Sequence, residues 1–173
     1  MEEKPRVGLI WIRADLAGLP EADGTGRWAL NGAGVAGIQE LVEADAAAAA
    51  GLLGKLFDLR GPWVIDGPQA LEACRQALRA SELDMVVLAY QTQAGESCLP
   101  GLLQAIGSCP LVVWCYLPWR RFPEAAAYPE VLRGSGPAAT FGALSVLRGL
   151  GASFFFTYGS PDDPRLADEL RCA

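Results

Sequence analysis

Met85-Val86-Val87-Leu88-Ala89, then polar Tyr90-Gln91-Thr92-Gln93, then a helical segment from Glu96 to Ile106, then Leu111-Val112-Val113-Trp114-Cys115-Tyr116: this stretch sets the architecture of the chain. It reads as strand, loop, helix, strand. Two short apolar runs without alternation are what a parallel sheet covered on both faces requires, because both sides of each strand meet a helix layer. A βαβ unit at the centre follows.

Working outward, Arg6-Val7-Gly8-Leu9-Ile10-Trp11-Ile12 is a first strand that ends at Arg13-Ala14-Asp15, and a long loop rich in Gly and Pro follows it. From Val35 to about Phe57, apolar residues such as Ile38, Val42, Ala49 and Leu53 recur at helical spacing. Gly61-Pro62 breaks the chain before a short strand, Trp63-Val64-Ile65, and Pro68 suits the first turn of a helix running to Ala80. Beyond the central unit, Pro118 to Pro129 reads as irregular. Gly134-Ser135-Gly136-Pro137 opens another helix, Ser153-Phe154-Phe155-Phe156-Thr157 is a fifth strand, and Ser160-Pro161-Asp162-Asp163 begins a last helix. The alternation implies an α/β fold of three layers, a doubly wound parallel sheet of Rossmann-like or flavodoxin-like type in strand order 2-1-3-4-5.

A length of 173 residues suits a single domain, 1–173, and the early stop of the last helix leads us to expect a piece of a longer multidomain protein. No apolar run approaches the roughly 20 residues needed to cross a bilayer, and the start of the chain lacks the features of a secretory signal, so a cytoplasmic location is expected. The net charge of −6, with Arg120-Arg121 the one adjacent basic pair, offers no cationic stripe for nucleic acid. Five cysteines without a CxxC pair fit reduced thiols and no structural zinc. The absence of histidine excludes Ser-His and Cys-His catalysis on this chain.

Gly32-Ala33-Gly34-Val35-Ala36-Gly37 matches the dinucleotide-binding glycine pattern, yet it sits far beyond the end of the first strand, where the pyrophosphate turn has to be. Small residues at a close helix start explain it better. A phosphoacceptor receiver would need paired acids after strand one, an Asp after strand three and a Lys after strand five, whereas the chain offers Arg13-Ala14-Asp15, Tyr90-Gln91 and Thr157-Tyr158-Gly159 at those places. A flavodoxin phosphate loop is equally missing. Cys98 reads as a buried structural thiol, and Glu21, Asp23, Asp162 and Asp163 as solvated acids.

Open α/β sheets bind ligands at the carboxyl ends of their strands, which here carry Arg13, Gln91, Thr92, Gln93, Tyr116, Trp119 and Tyr158. Amides, hydroxyls, aromatic faces and a guanidinium suit a polyol, but they cannot move a proton at neutral pH. The candidate substrate-binding residues read this way are Arg13, Gln91, Gln93, Tyr116 and Trp119, with no catalytic residue and no metal ligand.

Two segments carry a family likeness. Gly8-Leu9-Ile10-Trp11-Ile12-Arg13-Ala14-Asp15 resembles the glycine-led first strand of fucose isomerases, which ends in arginine. Gly134-Ser135-Gly136-Pro137-Ala138-Ala139, the helix after it and Phe155-Phe156-Thr157-Tyr158-Gly159 resemble a segment of the same enzymes that closes on an aromatic-glycine turn. The chain thus resembles the amino-terminal domain of the L-fucose isomerase and L-arabinose isomerase superfamily. The resemblance implies a parent enzyme that interconverts aldoses and ketoses with a divalent metal, usually manganese, held by later domains. It further implies that this domain holds no cofactor itself, lines the substrate entrance of a neighbouring subunit and takes part in a homo-oligomer. By the same resemblance Arg13 contacts sugar and Tyr90-Gln91 sits beside the substrate, although the loop sequence departs from that of the family. A free-standing sugar-binding or regulatory module and a nucleotide-binding domain are the alternatives.

Overall fold

A computed structural model describes residues 4–15, 35–126 and 128–173. The strands are β1 (Arg6–Ile12), β2 (Asp58–Ile65), β3 (Met85–Tyr90), β4 (Leu111–Tyr116) and β5 (Phe155–Gly159). The helices are α1 (Val35–Leu56), α2 (Pro68–Ala80), α3 (Leu99–Ile106), α4 (Tyr128–Arg133), α5 (Gly136–Gly149) and α6 (Pro164–Cys172), with a 3-10 turn at Glu96–Cys98 leading into α3. All sheet pairings are parallel and the order is β2-β1-β3-β4-β5, as the alternating apolar runs imply.

Every residue of β3 and of β4 is buried, because each strand lies between two helix layers. Side chains alternate across the sheet. Val7, Leu9 and Trp11 pack with Ala49 and Leu53 of α1 and Leu166 and Leu170 of α6, whereas Ile10 and Ile12 pack with residues of α2, α3 and α5. The first of these cores holds a triangle of rings: Trp11 meets Trp114 at 6.3 Å and Tyr116 at 4.9 Å, edge to face.

Three elements differ from the sequence reading. β2 begins at Asp58 rather than Trp63, passes through a cis Gly61–Pro62 peptide, and shifts register against β1 between Gly8 and Ile10. Only an edge strand can take a proline and an irregularity of this kind, because its outer N–H groups need no partner. β5 lies two residues later than expected, since Phe154 packs into the core before the strand begins and pairing starts with Phe155 opposite Val112. The stretch read as irregular up to Pro129 already contains α4 from Tyr128; a proline in the first helical turn removes an N–H that would have had no partner.

Gly136 explains how closely α5 approaches the sheet. A Cβ there would lie 2.3 Å from the Tyr90 carbonyl oxygen and 2.8 Å from that of Gln91, so only glycine lets the helix start against the end of β3. Among the described residues no helix is long and apolar enough to cross a membrane.

Candidate functional site

The chain leaves β1 through α1 on one face of the sheet and leaves β3 through α3 on the other, which opens a crevice between the carboxyl ends of these two neighbouring strands. A cleft of about 440 Å³ occupies this position. Ile12, Ile65, Leu71 and Ala94 give it apolar walls, while Arg13, Asp15, Asp66, Gln93, Ser97 and Cys98 supply its polar groups. A mainly apolar depression with a few convergent polar groups is the usual form of a small-molecule site.

Arg13 is the group with unused capacity. Its backbone N–H donates to the Ile65 carbonyl at 3.0 Å, which fixes the residue just past the strand end. One terminal nitrogen reaches Asp66 Oδ2 at 3.3 Å, and the side chain retains 15% of its accessible surface. Its Nε is buried without a hydrogen-bond partner among the described residues. A guanidinium offers five donors, so this one keeps several for a guest. Gln93 is exposed and lines the same cleft, its backbone N–H held by Ser135 Oγ at 2.8 Å. Ser135 in turn donates to the Leu132 carbonyl, tying the loop to the turn before α5.

The other candidates lie elsewhere. Gln91 is fully buried. Its carbonyl oxygen accepts from Trp11 Nε1 at 2.6 Å and its amide donates to the Val42 carbonyl, so both ends serve the core. Thr92 is buried as well, and its hydroxyl accepts the backbone N–H of Ala14 at 2.8 Å. Tyr90 points into the face carrying α2, α3 and α5; burial and then the adjacent Cys98 raise its pKa, and the Cys98 thiol, a weak hydrogen-bonding group, is the polar neighbour of its hydroxyl. Tyr116 closes the ring triangle on the opposite face, beside Asp45 and Arg133; burial is again the main cause of a raised pKa.

Trp119 stands apart from the cleft. Arg133 covers its face at 5.1 Å, Phe122 meets its ring at 5.3 Å, and Arg133 is held by two hydrogen bonds to the buried Asp45. Tyr158 is exposed on β5. The structure therefore brings Arg13 and Gln93 together at the cleft and turns Tyr90, Gln91 and Tyr116 inward.

Cys98 lines the cleft at the start of α3, but burial pushes its thiol up, the reverse of what a nucleophile requires. Three polar cleft residues escaped the sequence reading as site residues: Asp15, Asp66 and Ser97. Asp66 could have been found by the rule that exposed Arg13, since it directly follows a strand end; Ser97 carries no comparable signal. Among the described residues no group of three or more acidic, cysteine or histidine side chains is placed to hold a metal. Gly32, Ala33 and Gly34 of the glycine cluster, with Glu21 and Asp23, lie outside the described residues.

No protein-family model and no curated protein matches this chain.

Proposed function

We propose that this is the Rossmann-like first domain of a cytoplasmic sugar isomerase-like protein, and that the cleft between β1 and β3 binds a hydroxylated substrate without performing chemistry on it. The supporting observation is Arg13, seated at the strand-order reversal with a long contact to Asp66 and an Nε that has no hydrogen-bond partner among the described residues. A guanidinium with spare donors, an exposed amide at Gln93 and an apolar floor match the hydroxyl and C–H faces of a sugar. Five free cysteines are in keeping with a reducing compartment. The catalytic metal of such an enzyme would lie on further polypeptide, and subunit contacts would complete the entrance.

The test is a titration of aldoses, ketoses and their polyols followed by NMR of the backbone amides. Saturable shifts should centre on Arg13, Asp66 and Gln93. A hydrogen bond to a charged donor contributes about 1.5–3 kcal/mol, so Arg13→Ala should weaken binding by roughly ten-fold or more. Unchanged binding by that variant, or no saturable shift with any member of the panel, would end the proposal. If the parent enzyme is assembled from longer polypeptide, isomerisation should require added manganese and stop on chelation.

A further inference from the structure

Past the ends of β4 and β5 lies a second depression, of about 590 Å³, whose lining includes Arg120, Arg121, Tyr158, Ser160, Asp163 and Arg165. In a chain of net charge −6 this is an anomaly: three guanidinium groups and one carboxylate line the pocket, an excess of two cations, with Glu169 acting on Arg165 from outside the lining. The carboxylate is fully engaged. Asp163 accepts from Arg165 Nη2 at 2.8 Å and Nε at 3.3 Å, and it caps α6 by accepting the Arg165 backbone N–H at 3.1 Å. That arrangement orients Arg165 and uses up the start of the helix, so the remaining donor capacity belongs to the side chains. Arg120 and Arg121 are exposed and make no ion pair with a described residue. Tyr158, 54% exposed, supplies an aromatic face to the same depression.

We propose that this pocket binds a phosphoryl dianion, carried either by inorganic phosphate or by a phosphate monoester whose organic part lies against Tyr158. A phosphoryl group bears about −1.5 to −2 charges near neutral pH, which matches the local excess, whereas one carboxylate would leave half of it unmet. Planar guanidinium forks also pair with phosphate oxygens two at a time. The inference is independent of sugar binding at the other cleft, because it uses different residues and a different ligand chemistry.

Calorimetry with inorganic phosphate and with glycerol 3-phosphate, at constant ionic strength, tests it. Saturable binding with a dissociation constant on the order of 1 mM is expected, with acetate at least ten-fold weaker. Arg120→Ser with Arg121→Ser should weaken phosphate binding at least ten-fold while Arg13→Ala leaves it unchanged. Should the double variant fail to fold, Arg121→Ser alone should weaken it about three-fold. A monoester that binds more tightly than phosphate identifies an organic phosphate as the ligand, equal binding identifies free phosphate, and both outcomes uphold the phosphoryl site. Non-saturable heats, equal affinity for acetate, binding unaffected by the arginine substitutions, or a short single-stranded RNA bound more tightly than either probe would overturn it.

Discussion

Asp45→Asn separates a buried ion pair from a surface one. Asp45 sits on α1 with 3% of its side chain accessible, and Arg133 sits on α4 with 17%. The carboxylate receives Arg133 Nε at 2.7 Å and Nη2 at 2.5 Å. Asparagine keeps the size of the side chain and one acceptor, but it turns an amide N–H₂ toward a guanidinium N–H and leaves the arginine charge buried alone. Exposed pairs contribute about 0–1 kcal/mol, whereas breaking a buried pair costs about 3–5 kcal/mol. The small opening at Arg133 and the Trp119 ring over it at 5.1 Å soften the loss, which places the expectation near the lower end, about 3 kcal/mol. For a chain of this length that corresponds to a fall in Tm of about 6–12 °C. Urea unfolding followed by circular dichroism, at low and high salt, measures it; the loss should barely change with salt, since a buried pair is poorly screened. Asp45→Leu with Arg133→Met should recover most of the loss, because an apolar pair removes both buried charges. A loss under about 1 kcal/mol, or a double variant no more stable than the single one, would show that the pair behaves as a surface contact and would refute the reasoning.

Two further outcomes follow from groups already described. Tyr90→Phe deletes a buried hydroxyl whose polar neighbour is the weakly hydrogen-bonding Cys98 thiol, so its urea midpoint should stay close to that of the unaltered protein; a loss above about 1 kcal/mol would reveal a stronger partner. Asp163 has its carboxyl held at about 2 by Arg165, first through the side-chain hydrogen bonds, against an ordinary value of 3.8. A depressed acid stabilises the fold fully above its unfolded pKa and loses that contribution as pH falls through the folded one. Between about pH 4 and pH 2 the stability of the unaltered protein should therefore decline more steeply than that of Asp163→Asn, which keeps a capping oxygen; parallel acid titrations by circular dichroism would contradict this.

The sheet order was legible because β3 and β4 are continuous apolar runs, and burial on both faces leaves no other pattern. β2 was harder: Asp58, Arg60 and the Gly61-Pro62 step look like a turn, and only the freedom of a sheet edge admits them as strand. At the cleft, Arg13 was legible from its place after β1. Gln91 was not, since an amide at a strand end looks the same in sequence whether it meets solvent or a buried indole 80 residues away. Asp45 and Arg133 escaped for the same reason, being 88 residues apart. Polarity reports what a side chain can bond to; where the partner waits is a property of the packed chain.

The glycine that opens α5 has an evolutionary meaning. The atoms a methyl group would strike at Gly136 are main-chain carbonyls, which cannot rotate aside, so accommodation requires the whole helix to slide outward. Ala139, Ala143 and Leu147 would be drawn from the core with it, spreading a local crowding over the length of the rod. A library of random variants selected only for folding should thus tolerate many residue types at Gln93 and Ser97 while returning a single letter at Gly136. The cleft is free to drift toward new guests, and the hinge pin beside it is not.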